Sequence, residues 1–395
     1  MAKPVVGLSA ALDRDVRLNP AYRLWNLAEL PEAERKALWD LGVDPLLAHG
    51  LITADAGSGL PDKVVDRAGT DLLDELRCSA HFPVDAVERF LPLLLDDVLQ
   101  VDLDGEFVGG PRAYLNLAGD PDEWPALDRL AGLSQNAVGY AERLGSFSVE
   151  HLTARLYCFF RIPLAPRWRH RYPDMDSVLE IVGHNNPRSS LTRHWTRYGE
   201  SLSEDWISWR RKDEHPLRAA AFPYKLYISP AMEAIEDAMT VMVDALTESG
   251  AMAFKLGSDA PGLLRPDKAV VYLRDNVELE RVARAVERAL GGFPAHGVPF
   301  TAQLAEEGLI SWGGDPEAGE EPVGAETESW RLSICRRLAE NLVAAGRAGL
   351  KQGWPARFAL ARLALDGVDV TTFAPSGLEP PRQKRAALKP ELVQA

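Results

Sequence analysis

The sequence predicts an α+β protein in which a helical N-terminal region is followed by a domain with a small sheet flanked by helices. Residues 1–145 show mainly amphipathic helical spacing, with a hairpin signal near 98–108 around Asp104-Gly105. Downstream, in 146–375, short apolar strands alternate with helical patterns. The last residues, 376–395, are rich in Pro, Lys and Arg and predict a flexible tail.

The helical patterns of the first region lie on both sides of the hairpin. In chain order they are Pro20–Leu30, Pro31–Leu41, Asp62–Arg77, Val84–Val98 and Ser134–Arg143, and the pattern Val149–Phe160 follows just beyond residue 145. No motif of a catalytic or binding site occurs before residue 150.

The second domain is organised around residues 221–273. Strand-like alternation in Phe222–Ser229 is followed by the helical pattern Met232–Leu246, which Gly250 ends well. Further strands are predicted at Ala251–Leu256, Ala269–Leu273 and 308–316, and further helices at Val277–Leu290, Trp330–Ala344 and Pro355–Leu365. The segment 161–218 has many aromatic residues and turn formers, which predicts ordered irregular structure with short strands or helices.

Charge is distributed unevenly along the chain. The formal net charge of −14 argues against non-specific binding of nucleic acid. Residues 161–225, however, carry 12 Lys and Arg against 8 Asp and Glu. This basic segment is either a solvated surface or a wall that binds anions.

The cysteines, the apolar runs and the N-terminal sequence indicate where in the cell the protein is located. Cys78, Cys158 and Cys335 are far apart and lie in apolar surroundings, which predicts buried thiols and neither a disulfide nor a zinc site. No apolar run approaches the ~20 residues needed to span a bilayer. The N-terminus lacks the pattern of a secretory signal. We therefore expect a cytoplasmic protein without membrane contact.

The common cofactor motifs are missing from the sequence. It contains no P-loop, no GxGxxG after a strand, no HExxH, no CxxC and no GxSxG. His184 and His194 lie ten residues apart without a third ligand nearby, which is a weak signal for a metal. We expect no cofactor and no metal.

What remains is a set of cationic and proton-donating side chains at the ends of short strands. Removing phosphate from phosphoserine or phosphothreonine requires a base for the Cα proton and cations for the phosphate and the enolate-like charge. A lysine acts as this base only when it is neutral, and neighbouring cations together with desolvation lower its pKa. The candidates are Lys225, Tyr227, Lys255, Arg265, Lys268, His296 and Arg331.

Each candidate also has a purely structural interpretation. Lys225 and Lys255 suit lysines that extend from strand ends to solvent, and Tyr227 suits a packed strand aromatic. Arg265 and Lys268 are ordinary loop charges when taken singly, His296 suits a turn, and Arg331 suits a helix surface. Only their occurrence together favours a site.

Several stretches resemble a known family. PYKLYISP (223–230), GAMAFKLG (250–257), GLLRPDKAVVYL (262–273), HGVPF (296–300) and GLISWGGDP (308–316) resemble the HopA-type effector family. They are also similar to the lyase domains of class III and IV lanthionine synthetases and to the phosphothreonine lyases of type III secretion. The resemblance covers roughly residues 150–340 and is strongest in 222–315.

The resemblance implies roles for individual residues. Lys225 occupies the lysine of a Lys-x-His motif that contacts phosphate, and Lys255 occupies the lysine of an AFK strand that is the general base. Arg265 and Lys268 fall where those lyases bind phosphate, and Arg331 falls where a later phosphate-binding arginine is expected. Tyr227 replaces the family's histidine, the usual acid. The acid is then Tyr227 or His296, or phosphate leaves unassisted, or activity has been lost.

The implied function is elimination of phosphate from Ser or Thr of a ribosomally made precursor peptide, giving dehydroalanine or dehydrobutyrine. Such proteins occur in the biosynthesis of class V lanthipeptides. The implied partners are the phosphorylated peptide, a separate kinase-like protein and other pathway enzymes such as a cyclase. The alternative is a non-catalytic module, an effector or pathway scaffold, that binds a phosphopeptide or a protein.

Overall fold

The structure is a computed structural model. It describes residues 14–27, 30, 50–55, 63–81, 87–117, 125–145, 148–198, 205–213, 222–316, 328–376 and 378. The predicted helix at Pro31–Leu41 lies outside these ranges. So do most of the acidic segment after Asp315 and nearly all of the predicted tail.

The described ranges contain both strands and helices. The strands are β1 (Asp15–Leu18), β2 (Tyr22–Asn26), β3 (Gly50–Ala54), β4 (Lys63–Val65), β5 (Ala80–His81), β6 (Leu99–Leu103), β7 (Glu106–Val108), β8 (Trp195–Tyr198), β9 (Trp206–Arg211), β10 (Tyr224–Ile228), β11 (Ala253–Gly257), β12 (Ala269–Leu273), β13 (Ala302–Gln303), β14 (Ile310–Gly314), β15 (Val368–Asp369) and β16 (Ala374–Pro375). The helices are α1 (Arg67–Glu75), α2 (Val87–Leu95), α3 (Gly110–Leu117), α4 (Arg129–Leu144), α5 (Val149–Tyr157), α6 (Pro166–Arg171), α7 (Met175–Ile181), α8 (Ser190–His194), α9 (Ile235–Glu248), α10 (Ala260–Leu263), α11 (Asn276–Leu290), α12 (Trp330–Arg347) and α13 (Trp354–Leu365). The predicted α+β class is confirmed.

The chain divides into two compact units whose segments interleave. The first unit takes its residues from Met1–Pro125, Gln135–Tyr157 and Pro316–Val370. The second takes them from Ala126–Ser134, Cys158–Asp315 and Thr371–Ala395. Each unit therefore draws on residues from both sides of the boundary predicted at 145.

The first unit is mixed rather than mainly helical. It contains an antiparallel sheet of order β5-β1-β6-β7 and a second antiparallel sheet of order β2-β3-β4. The helix predicted at Pro20–Leu30 is wrong, because Tyr22–Asn26 alternates between buried and more exposed positions and pairs with β3. Strands β6 and β7 form the hairpin expected around Asp104-Gly105, where both turn residues have positive φ.

The second unit is built on a seven-stranded antiparallel sheet of order β13-β14-β10-β12-β11-β9-β8. One face of this sheet packs into a large apolar core with α9 and α11; among its side chains are Leu226, Phe254 and Val271, one from each central strand. Because strand side chains alternate, the residues between them point to the opposite face. The segment expected to be irregular supplies α6, α7, α8, β8 and β9.

Local sequence explains the elements around the centre of this sheet. Helix α9 ends before Gly250, which has φ of 70°. Helix α11 begins after Asp275, whose side chain accepts a hydrogen bond from the Glu278 N–H at 2.7 Å. Between β11 and β12, a Cβ on Gly257 would lie 2.4 Å from the Gly262 carbonyl carbon, so only glycine allows this close turn.

The described residues test the predictions about membrane-spanning segments and about burial of the cysteines. None of the helices in the described ranges is long and apolar enough to cross a membrane. Cys335 is buried as expected, whereas Cys78 and Cys158 are exposed, and none of the three forms a disulfide. The expectation of buried thiols is therefore wrong for two of the three, because an apolar neighbourhood in sequence does not ensure burial.

Candidate functional site

The face of the seven-stranded sheet opposite the helices carries a cluster of cations. Strand β12 lies between β10 and β11, with Lys225 paired to Tyr272 and both Tyr227 and Lys255 paired to Val270. Residues in such lateral rows share one face of a sheet. The Cα atoms of Tyr227 and Lys255 are thus two strand spacings, or about 10 Å, apart. The topology thus brings Lys225 and Lys255, which are 30 residues apart in sequence, onto one sheet face.

Aromatic rings hold the cations of this face. Lys225 Nζ and Lys255 Nζ lie 5.6 Å and 5.7 Å from the centroid of the Tyr272 ring. Lys255 Nζ also lies 4.1 Å from the Trp206 ring, and the Arg265 guanidinium carbon lies 4.7 Å from the same ring. Such cation–π contacts fix ammonium and guanidinium groups without neutralising them. We refer to Lys225, Lys255 and Arg265 as the cation cluster.

Two carboxylates pair with two members of the cation cluster. Lys225 forms an ion pair with Asp315, directly after β14. Arg265 donates from Nε to Asp267 Oδ1 at 3.0 Å and from Nη2 to Asp267 Oδ2 at 3.2 Å. Lys255 makes no ion pair with any residue in the described ranges.

Lys255 has the electrostatic environment of a lysine that loses its proton readily. Burial is the largest cause and lowers the pKa of its ammonium from 10.5 to about 8. The value of about 8 is the net result of all causes: the positive charges of Lys225 and Arg265 add to the effect of burial, while Asp267 and Asp315 act in the opposite direction. With a pKa of about 8, roughly a tenth of Lys255 is neutral at pH 7. This fraction is some 300-fold larger than for a lysine of ordinary pKa.

Tyr227 lies on the same face but is deeply packed. Only 3% of its surface is exposed, and it packs with Val270, Val298 and Trp206. Ser311 lies opposite Tyr227 on β14 and accepts a hydrogen bond from the Thr301 hydroxyl at 2.8 Å. The phenol therefore shares the sheet face of the cation cluster but is itself buried.

Lys268 and His296 form a separate buried pair. Lys268 is fully buried; its Nζ donates to the Pro230 carbonyl at 2.9 Å and lies 2.8 Å from His296 Nδ1. His296 Nε2 lies 2.8 Å from the Phe160 carbonyl. Since a carbonyl only accepts, Nε2 carries the proton and Nδ1 accepts from Lys268. Burial lowers the pKa of Lys268 to about 7.

This arrangement differs from the roles predicted for the two residues. The phosphate-binding role predicted for Lys268 does not fit a side chain that is sealed from solvent and bonded to a carbonyl and an imidazole. His296 is 7% exposed and has both ring nitrogens bonded, so it is a buried side chain rather than a surface turn histidine. A buried polar group that is already hydrogen-bonded loses stability when a partner is withdrawn.

Arg331 belongs to the first unit. It lies in the first turn of α12 and is 1% exposed. Its guanidinium donates to the Tyr157 carbonyl at 3.0 Å and lies 4.6 Å from the Tyr157 ring. These contacts place it inside the first unit as a buried arginine, so its role as a phosphate ligand stays a prediction.

Four residues of the site were missed in the sequence: Trp206, Asp267, Tyr272 and Asp315. Asp267 directly precedes the candidate Lys268, and the alternation Lys268-x-Val270-x-Tyr272 places Tyr272 on the polar face once β12 is known. Trp206 comes from a segment of weak periodicity. Its position beside Lys255 follows only from the pairing of β9 with β11, which no local pattern predicts.

The described residues hold no group of three or more His, Cys, Asp and Glu side chains that could bind a metal ion. His184 and His194 are accordingly not part of such a group within these ranges.

Comparisons with known proteins give matches among solved structures. No family model matches the chain, and no curated protein matches it. It is similar to an effector protein from Pseudomonas syringae pv. syringae strain 61, with a TM-score of 0.38, 13% identity, and coverage of 62% of this chain and 98% of that chain.

Two further solved structures are described as phosphothreonine lyases. One is the type III effector OspF from Shigella flexneri, with a TM-score of 0.27, 15% identity, and coverage of 52% of this chain and all of that chain (100%). The other is the effector VirA (SpvC) from Chromobacterium violaceum, with a TM-score of 0.28, 12% identity, and coverage of 50% and 98%. At these values a function for this chain has to be argued from its own residues.

Proposed function

We propose that this protein is a lyase that eliminates phosphate from phosphoserine or phosphothreonine in a peptide. The observation that carries the proposal is the environment of Lys255. This lysine lies on a partly exposed sheet face between two other cations, it has no ion-pair partner in the described ranges, and its pKa is lowered to about 8. A neutral lysine beside two cations combines a base with a phosphate-binding site.

In the proposed reaction, neutral Lys255 removes the Cα proton of the phosphorylated residue and becomes an ammonium. The electron pair of the C–H bond forms the Cα=Cβ double bond as the Cβ–O bond breaks. The leaving phosphate takes the electron pair of that bond and remains between Lys225 and Arg265. The products are inorganic phosphate and a dehydroalanine or dehydrobutyrine residue.

Tyr227 is the proposed acid or hydrogen-bond donor to the leaving oxygen. A phenol donates a hydrogen bond at neutral pH, and Tyr227 lies on the same face as the base. Lys268 and His296, which are buried and bonded to each other, are assigned a supporting role instead of contact with phosphate. The role of Arg331 as a phosphate ligand stays a prediction.

The substrate class rests on the sequence resemblance and on surface charge. The basic segment 161–218 carries exposed arginines, and Arg167 stacks on Trp168 with its guanidinium carbon 4.5 Å from the ring. Such a surface suits an extended peptide that carries negative charge. We propose a ribosomally made precursor peptide that a separate kinase-like protein phosphorylates, with a cyclase or other enzyme acting on the product.

Mass spectrometry of a phosphopeptide tests this function. Purified protein is incubated with phosphoserine and phosphothreonine peptides, without metal or nucleotide, beside the variant Lys255→Ala. Loss of one phosphoric acid per site with the native protein, and none with the variant, is the expected result. Full elimination by Lys255→Ala removes this residue from the role of base.

A second candidate function is a non-catalytic module that binds phosphopeptides or proteins. It is favoured by Tyr227, which stands where the resembled lyases carry histidine and is only 3% exposed. Phosphopeptide binding without mass loss, with the cognate kinase supplied, is the outcome that selects this function over the lyase.

A further inference from the structure

The carboxylates that pair with Lys225 and Arg265 differ in how firmly they are held. Asp267 is 4% exposed and bonds Arg265 through both of its oxygens. The Asp315 side chain keeps 21% of its surface exposed, whereas the side chain of its partner Lys225 keeps 10%. A buried bidentate pair is costly to break, and a pair with solvent access to its carboxylate is less so.

The backbone directs Asp315 onto the face of the cation cluster. Its N–H donates to the Pro223 carbonyl at 2.8 Å, which continues the β10–β14 ladder by one step beyond the pair of Tyr224 with Gly314. In this register Asp315 shares a sheet face with Lys225. Its carboxylate is therefore presented to the ammonium by the sheet itself.

We propose that Asp315 is an internal anion that occupies Lys225 when the site is empty and is displaced by the phosphate of the substrate. The proposal rests on the proposed function only in that Lys225 binds phosphate. Asp315 thereby becomes a residue that determines specificity, because any incoming anion has to compete with it.

The charge of an incoming anion determines whether it displaces the Asp315 carboxylate from Lys225. A singly charged anion that replaces the Asp315 carboxylate on Lys225 exchanges one negative charge for another and gains little. A phosphate monoester that has lost its second proton, with a pKa near ~6, brings one charge more and also reaches Arg265. The site is thus selective for dianionic phosphate over carboxylate and over the monoanion.

Other charged and titratable groups face the same position and are the same in the three proteins compared below. They are Lys255 from β11, Arg265 and Asp267 from the loop before β12, and the phenols of Tyr227 on β10 and Tyr272 on β12. Lys255, with its pKa lowered to about 8, loses part of its charge by pH 7.5. Because this loss occurs in all three proteins, a comparison between them at one pH isolates the effect of Asp315.

The test measures binding of phenyl phosphate, a monoester with no hydrogen to eliminate, by calorimetry at pH 5 and pH 7.5. The native protein is compared with Asp315→Asn and with the control Asp213→Asn. Asp213 also pairs with the end of a strand, at 2.9 Å from Arg211, and is exposed. Native protein and control are expected to bind at least about tenfold more tightly at pH 7.5, following the second ionisation of the ligand.

Asp315→Asn is expected to bind about tenfold more tightly than the native protein at pH 5 and to lose most of the pH dependence. An affinity and a pH dependence equal to those of the native protein would overturn the proposal, and so would weaker binding. Failure of all three proteins to bind overturns it together with the phosphate-binding role of Lys225. Tighter binding by Asp315→Asn without elimination in the phosphopeptide assay supports the displaced carboxylate and refutes the lyase.

Discussion

Lys255 and Lys268 are two lysines of one sheet whose pKa values are both lowered, to about 8 and about 7. In both, burial is the largest cause. Their surroundings otherwise differ. Lys255 faces rings and two further cations on a partly exposed face, whereas Lys268 is enclosed and bonded to a carbonyl and an imidazole.

The difference shows that a lowered pKa does not identify a catalytic base. Lys268 has the lower pKa, yet it has no access to a substrate and its hydrogen bonds are already satisfied. Lys255 combines the lowered pKa with an accessible position and with cations that can hold a leaving phosphate. Geometry therefore decides between two lysines that electrostatics alone would rank in the opposite order.

The largest expected effect is the loss of elimination in Lys255→Arg, a change that removes the base but keeps the positive charge. Lys255→Arg keeps the positive charge, but a guanidinium stays protonated and cannot act as a base. We expect elimination to fall by about 10²–10⁴-fold while phosphopeptide binding remains. The matched change Lys225→Arg keeps a phosphate ligand, so elimination should stay within roughly tenfold of the native rate. Equal losses in the two variants would contradict the assignment of the base.

The next effect is the pH dependence of elimination. Because only neutral Lys255 accepts a proton, kcat/KM should rise with pH and level off above about 8, the pKa of this lysine. Between pH 6 and pH 9 the neutral fraction grows roughly 100-fold. Initial rates with a phosphothreonine peptide over this range check the prediction. A profile that is flat, or that falls with rising pH, would exclude Lys255 as the base.

A smaller effect on kcat is expected when the Tyr227 hydroxyl is removed. The control is the removal of the Tyr224 hydroxyl, on the other face of the same strand. Tyr227→Phe removes a hydrogen bond to the leaving phosphate, which corresponds to a loss of about 10–100-fold in kcat. Tyr224→Phe is the control, since Tyr224 stacks on Trp312 on the helix side of the sheet and should leave kcat unchanged. Unchanged kcat in Tyr227→Phe would mean that phosphate leaves without this donor.

The sequence predicts the strands and helices of the second unit well and its contacts less well. The strand Ala269–Leu273 and the helix after Asp275 follow from local alternation and capping, which depend on neighbouring residues only. Trp206 and Asp315 reach the site through strand pairing across long sequence separations. No local pattern contains that information, which is why both were missed.

The lack of information about long-range contacts also explains two wrong expectations, one about His296 and one about the segment Pro20–Leu30. A histidine between glycine and alanine in a Gly/Pro-rich connection is typical of a turn, yet His296 is buried because Lys268 and the Phe160 carbonyl complete its hydrogen bonds. Similarly, Pro20–Leu30 shows helical spacing, but its strand pairs with β3 to close a sheet. Tertiary partners override local propensity in both cases.

The smallest effect on catalysis, and a distinct effect on stability, are expected from Lys268→Met. Elimination should stay within about threefold of the native rate, because Lys268 touches neither the cation cluster nor an open surface. Since the pKa of Lys268 is lower in the folded than in the unfolded protein, the unfolded state holds an extra proton between about pH 7 and pH 10. The free energy of unfolding therefore rises with pH across this window, by up to about 1.4 kcal/mol per pH unit for one proton.

Chemical unfolding of native protein and Lys268→Met at several pH values measures this slope. The variant should lose the part of the slope that begins near pH 7 and keep the part that begins near pH 8, which belongs to Lys255. If Lys268→Met instead abolished elimination while the slope persisted, the roles of the two lysines would have to be exchanged. The buried lysine would then be the one that meets the substrate.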